Sequence, residues 1–267
     1  MSSPIWTPAA LRSEAQALAG DCWRLVEAQH RISTMKLVDT LEEQALLEAE
    51  LERTKPPGPP ECAHLDYLLA TPFRYGRYPG SSRFRREGMT PGVFYASEAV
   101  ETAVAETAFY RLLFFRDSPA TPYPANPLEF TAFRTPYAAA AAIDLTAAPF
   151  DRDAARWADP YDYSHCLALA DAAREAEIAV IRYRSVRDSA GGANLAILSC
   201  RAFTTDRPQA FMTWRLAISA RGVNAISDWP NTRLALPAAS LPAIRGSGIS
   251  RARKTHSPHA PASGGAG

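Results

Sequence analysis

The sequence predicts an α+β domain with a substantial antiparallel sheet, and three observations carry that reading. Short apolar runs with period-two alternation recur along the chain. The clearest covers residues 211–219, where Met212, Trp214, Leu216 and Ile218 alternate with Thr213, Arg215 and Ser219. Helical patterns interleave with these runs, which suits helices packed on a mixed sheet. Hydrophobic residues make up 47% and charged residues 21% of the 267 positions, ordinary globular usage that allows one sizeable core.

Residues from about 8 to 54 read as helical, because Leu11, Ala15, Leu18, Ala19, Cys22, Leu25 and Val26 recur at helical spacing. Thr40-Leu41-Glu42-Glu43 fits a capping box that opens a second segment through Leu46, Leu47 and Leu51. Lys55-Pro56-Pro57-Gly58-Pro59-Pro60 cannot continue a helix and reads as a stiff linker. Residues 1–60 are therefore expected to form a helical N-terminal extension. Residues 92–96 read as a buried strand, and Ser97 as the cap of a helix from Glu98 to about Phe115. Strand patterns follow at 128–133 and 140–145, a helix at 163–176, and strands at 178–183 and 195–198. From about Gly246 the chain is rich in Gly, Ser, Pro and Ala, so disorder is expected over 246–267, leaving 61–245 as the main domain.

Charge excludes some functions. The 29 basic and 28 acidic side chains give no overall field towards nucleic acid or an anionic membrane. No apolar stretch reaches membrane-spanning length, and the N-terminus lacks a basic region followed by an apolar run; a cytoplasmic protein is expected. Cys22, Cys62, Cys166 and Cys200 show no C-x-x-C pair, so neither a disulfide framework nor a zinc site is expected, and no metal is invoked.

Three segments can carry chemistry. Five arginines fall within residues 74–86, interleaved with aromatics and glycines; guanidinium forks and glycine turns suit one compact anionic ligand. Glu106 sits inside the apolar run Thr102-Ala103-Val104-Ala105-Glu106-Thr107-Ala108-Phe109, where a carboxylate is costly unless paired or used, although an ordinary surface glutamate fits the pattern as well. A strand ends at Ser185, and a Gly-rich loop leads to Asn194, two short hydrogen-bonding groups at strand ends. Turn formation accounts equally for Ser189, Gly191, Gly192 and Asn194. No P-loop, Gly-x-Ser-x-Gly or zincin motif is present, and His64 and His165 are isolated.

Taken together, these segments resemble the RES domain, whose name records an arginine, a glutamate and a serine. The matching residues are Phe73-Arg74-Tyr75, Gly80-Ser81-Ser82-Arg83-Phe84, Gly92-Val93-Phe94-Tyr95-Ala96-Ser97, Thr102 through Glu106, Tyr163-Ser164 through Ala170-Asp171, Ala172-Ala173-Arg174, and Ile181-Arg182-Tyr183-Arg184-Ser185-Val186-Arg187-Asp188 with Asn194-Leu195 and Ala202-Phe203. The resemblance implies an ADP-ribosyltransferase-like fold, with mixed sheets around an NAD cleft, in the toxin of a type II toxin–antitoxin pair. NAD is then the substrate, cleaved at its nicotinamide–ribose bond by hydrolysis or phosphorolysis. The alternative is mono-ADP-ribosylation of a protein acceptor at the same site, and a more remote one is an RNA-binding or RNA-cleaving toxin. By the same resemblance Glu106 stabilises the cationic ribose, Arg74 and Arg83 hold the pyrophosphate or ribose side, Tyr95 stacks on the nicotinamide or adjoining ribose, Ser185 helps hold nicotinamide, and Tyr75 and Asn194 also contact the dinucleotide. Glu106, Arg74 and Ser185 are the expected catalytic set. An Xre-like antitoxin is the implied partner, with neither membrane nor direct nucleic-acid binding expected of the toxin itself.

Overall fold

A computed structural model describes residues 6–27, 38–54, 56–74, 78–88 and 91–240. The tail expected to be disordered lies outside these residues, as do Tyr75 and Arg77. In chain order the elements are α1 (Pro8–Glu14), β1 (Gln16–Glu27), α2 (Leu41–Thr54), α3 (Tyr67–Arg74), β2 (Phe94–Ser97), α4 (Val100–Asp117), β3 (Leu128–Asp144), α5 (Ala154–Trp157), α6 (Ser164–Glu175), β4 (Val180–Arg184), β5 (Ala193–Ile197), β6 (Ala210–Ser219), β7 (Gly222–Ser227) and β8 (Thr232–Pro237).

The strands join in the order β1-β2-β5-β4-β3-β6-β7-β8, and β1 also pairs with β3, so the path from β1 through β2, β5, β4 and β3 returns on itself. Every pairing is antiparallel except β3 with β4. Two junctions are narrow. Strand β1 meets β2 only at Trp23↔Ser97, and β3 meets β4 over Ala142, Ile143 and Asp144. They divide the strands into a small group, β2-β5-β4, and a large one, β1-β3-β6-β7-β8. This is the mixed α+β architecture that the sequence predicts.

The helical expectation for residues 8–54 holds at its two ends and fails over 16–27, while residues 28–37 lie outside the described residues. Thr7 accepts the Ala10 N–H and starts α1, and Thr40 and Glu43 form the reciprocal capping box of α2. Residues 16–27 are instead a strand, paired along β3 from Gln16↔Ala142 to Glu27↔Phe130. The apolar spacing there is compatible with either state. A long unpaired edge on β3 decides the outcome, since every one of its backbone donors and acceptors needs a partner. Candidate strands 128–133 and 140–145 are two ends of the single strand β3.

Helix α4 is buried on two sides. Its Val100, Val104, Ala108, Leu112 and Phe115 pack with Trp214, Leu216, Ile218, Val223 and Ala225 of β6 and β7. The alternation read in 211–219 is realised, with Trp214 and Leu216 fully enclosed. A second face, carrying Thr102, Glu106 and Phe109, lies towards β4 and β5. Because both faces are occupied, the helix shows no clean amphipathic stripe.

Two further expectations are corrected. Ser97 does not cap α4; Ala99 stands at that position without a side-chain bond, and the Ser97 hydroxyl turns to Asn194. Cys62 and Cys200 form a disulfide across 138 residues of sequence, two small residues that distant elements bring together. Closing so long a loop is worth about 5 kcal/mol on the chain-entropy view. Cys22 and Cys166 are buried free thiols. Among the described residues no helix is long and apolar enough to cross a membrane.

Removing residues 1–27 leaves the β3 edge bare. Such a chain is expected to lose cooperative thermal unfolding and to aggregate. A truncated chain that still melts cooperatively at the temperature of the full chain contradicts the structural role given to β1.

Candidate active site

Strand β4 ends where Ser185 begins a tight loop, and β5 resumes at Ala193. The ladder continues past the strand end, with the Ser185 N–H donating to the Gly192 carbonyl at 2.8 Å. Asp188 organises the loop. Its carboxylate accepts the Ala190 N–H at 2.9 Å, the Gly192 N–H at 3.2 Å and the Thr102 hydroxyl at 2.8 Å. That last bond ties the loop to α4 one turn before Glu106, on the same helix face. Gly192 is required by space alone: a Cβ there would stand 2.1 Å from Thr102 Oγ1 and 2.7 Å from Asp188 Oδ2.

Two side chains from this hairpin then grip Glu106. Ser185 Oγ accepts the N–H groups of Arg187 and Asp188, at 3.2 and 3.0 Å, which leaves its proton for Glu106 Oε1 at 2.7 Å. Asn194 Nδ2 donates to the same oxygen at 2.6 Å, while its Oδ1 accepts the Ser97 hydroxyl at 2.6 Å. Because the carboxylate can only accept, Glu106 fixes which way the amide faces, and Ser97 donates to its oxygen end. Two charge-assisted bonds therefore converge on Oε1, each worth about 1.5–3 kcal/mol. Oε2 accepts no hydrogen bond from a described residue. Among the described residues the carboxylate is thus held by one oxygen, with the other left without a donor.

Around it, Tyr183 is buried, and its phenol is pushed well above its ordinary pKa by burial first and by the Glu106 charge second. Such a group remains a neutral hydrogen-bonding phenol at neutral pH. Arg83 is buried beneath α6; it donates to the Trp157 carbonyl at 2.6 Å and lies 4.5 Å from the Tyr163 ring centroid.

The structure thus brings Glu106, Ser185 and Asn194 into direct contact, and puts Arg83 among buried aromatic neighbours. Tyr95 is half-buried; its hydroxyl accepts the Phe84 N–H at 3.0 Å and meets Ser82 Oγ at 2.9 Å, holding the 82–84 turn. Arg74 ends helix α3, and Tyr75 lies outside the described residues. Of the arginines in 74–86, Arg83, Arg85 and Arg86 take separate partners. Arg85 stacks on Tyr78 at 3.5 Å and donates to the Gly80 carbonyl, and Arg86 pairs with Asp171. Each finds a local partner first, which spacing in the sequence cannot reveal.

Ser97, Thr102, Asp188, Arg187 and Tyr163 are neighbours that sequence reasoning did not assign to the site. The signal for Asp188 was present, since an aspartate followed by Ala190-Gly191-Gly192 suits a side-chain-capped turn. Among the described residues no three His, Cys, Asp or Glu side chains come together as a metal site. A separate cleft of about 500 Å³ is lined by Glu98, Thr146, Arg182, Arg184 and residues 191–193. Arg182 and Arg184 alternate with Tyr183 along β4 and so face away from Glu106.

Gly192→Ala is expected to cost about 1–3 kcal/mol in denaturant unfolding, through overpacking against Thr102 and Asp188. Adding Thr102→Ala should recover part of that loss. Equal losses in the single and double variants would refute the steric account.

Comparison with known proteins adds a family. A search of the curated proteins returns no match. Among solved structures, a chain of the M. tuberculosis MbcT–MbcA toxin–antitoxin complex is similar at a TM-score of 0.45 and 13% identity, covering 76% of this chain and 89% of that one. The family model for the RES domain matches residues 59–219, which span α3 through β6 and contain every residue that grips Glu106. The chain belongs to the RES domain family.

Proposed function

We propose that this chain is the toxin of a toxin–antitoxin pair and that it breaks the nicotinamide–ribose bond of NAD at Glu106. The observation that carries the reading is the Glu106 carboxylate, gripped at Oε1 by Ser185 and Asn194 and, among the described residues, without a donor on Oε2. As the C–N bond breaks, its electron pair leaves with nicotinamide, which departs neutral, and the ribose acquires oxocarbenium character. A carboxylate already oriented and partly desolvated is the electrostatic complement of that charge and needs no reorganisation as it forms. The acceptor oxygen then bonds to the ribose carbon and loses its proton. Water gives ADP-ribose, phosphate gives its 1-phosphate, and a protein side chain gives an ADP-ribosylated protein.

The two donors on Oε1 serve a positioning purpose. They restrict the carboxylate, so the charge of Oε2 is held towards one place. No metal and no general acid is needed for this cleavage, because the leaving group is stable as a neutral base. Membership of the family is also the ground for expecting an Xre-like antitoxin partner.

Product analysis tests the reading. Full-length protein is incubated with NAD, with and without phosphate, and with lysate proteins present. Wild type should release nicotinamide, and Glu106→Gln should slow that release by about 10²–10³-fold while melting like wild type. The fate of ADP-ribose identifies the acceptor; a discrete labelled protein band assigns transfer. NAD left intact under all three conditions sinks the proposal.

A further inference from the structure

The cleft of about 500 Å³ on the far face of β4 is of a size that takes a small molecule, and its two arginines are unequally committed. Arg182 is spent. Its Nε and Nη2 donate to the two oxygens of Glu98 at 2.6 and 2.9 Å, and its Nη1 donates to Asp144 at 3.0 Å and to the Thr146 hydroxyl at 2.7 Å. Those bonds fix and neutralise that part of the lining. Arg184, two residues along the same face, is exposed, and its side chain makes no ion pair or hydrogen bond with a described residue. The cleft therefore keeps one positive charge and one full set of guanidinium donors unused.

Although unpaired, Arg184 has a packed position. Gly191 has a φ of 74°, and a Cβ there would stand 3.1, 3.2 and 3.4 Å from Arg184 Nη2, Nε and Cζ. Three such similar distances lay the guanidinium flat against the glycine. Its N–H groups lie in its own plane, so they point past Gly191 and not into it. A packed face with an open donor edge is a fork ready for an oxyanion. Ala99 borders the same cleft and starts α4 without a side-chain cap, which adds a weaker positive potential to that of the arginine. Ala99 and residues 191–193 carry little or no side chain, which leaves room for whatever the anion is attached to.

We propose that this cleft is a second ligand site, which binds a small phosphomonoester with its phosphate on the Arg184 fork. The fork alone uses both oxygens of a carboxylate, whereas a phosphate keeps further oxygens for other donors and carries more charge. Arg184 faces away from Glu106, so a phosphate held there is not the acceptor in NAD cleavage. The two places are nonetheless joined by a thin wall. Gly191 touches Arg184 on the cleft side, while Gly192 lies against Thr102 and Asp188 on the other. The Gly192 carbonyl also accepts the Ser185 N–H at 2.8 Å. A ligand on Arg184 thus bears on the loop that sets Ser185 against Glu106.

An NMR chemical-shift titration of the full chain tests this, with phenyl phosphate, benzoate and phenol as probes. In wild type, phenyl phosphate should move the amides of residues 99–101 and 190–193 along one saturating curve, and those of Ser185–Asp188 with them. Arg184→Gln removes an exposed side chain and should melt like wild type, yet weaken phenyl phosphate by roughly 10- to 100-fold. Arg184→Lys keeps the charge without the fork and should fall between the two. Benzoate should bind more weakly than phenyl phosphate, and phenol should leave these amides in place. Binding that survives Arg184→Gln unchanged, or amides of 190–193 that do not respond, overturns the site. Benzoate that binds as tightly as phenyl phosphate overturns the phosphomonoester assignment. None of these readouts consumes NAD, so a chain that leaves NAD intact loses the cleavage reading and keeps this site.

Discussion

Two hydrogen bonds to one oxygen of Glu106 are the constraint around which the molecule is arranged. A half-buried carboxylate on a helix packed from two sides cannot rely on water, so its neighbours must satisfy it. Ser185 does so only because the loop turns two backbone N–H groups onto its lone pairs. Asn194 does so only because Ser97 holds the other end of its amide. Both depend on register: Asn194 pairs with Tyr183 on one side and Ser97 on the other. A slip of one residue would turn Asn194 to the opposite face of the sheet and leave Glu106 half-satisfied.

The rest of the fold keeps that register. Helix α4 is pressed onto β6 and β7 by large apolar side chains, which fixes the height of Glu106 above the hairpin. Strand β1 closes the sheet, pairing β3 from Phe130 to Ala142 and touching β2 at Trp23↔Ser97, the residue that bonds Asn194 Oδ1. Arg24 of β1 adds a bond to the Tyr95 carbonyl across the same junction. The N-terminal strand lies outside the stretch that matches the family model, yet it abuts the site. The Cys62–Cys200 disulfide ties the segment before α3 to the turn after β5.

Much of this was legible in the residues, for physical reasons that can be named. Alternation at Trp214, Leu216 and Ile218 is a one-sided strand signal, and it was read correctly. Thr40 and Glu43 satisfy each other within four residues, so the capping box needed no tertiary knowledge. What escaped was decided at long range. Residues 16–27 carry a spacing that fits either state, and β3, more than a hundred residues away, selects the strand. The same distance separates Cys62 from Cys200. Ser97 looks like a helix cap from its neighbours; its partner is on β5. Glu106 and Ser185 stood out only through their order within a family pattern, and the hydrogen bonds between them give that order a cause.

The arginines teach the converse lesson. Five of them in thirteen positions suggested one anion site, but Arg85 and Arg86 are spent on nearby carbonyl, ring and carboxylate partners. Arg83 and Arg187, far apart in sequence, converge on Tyr163 instead.

The most direct test of the account is a crystal structure of the full-length Glu106→Gln protein with NAD. The account predicts the dinucleotide with its nicotinamide–ribose bond facing residue 106, beside Ser185 and Asn194. An empty site at residue 106, or NAD seated in the Arg182–Arg184 cleft on the other face of β4, would contradict it.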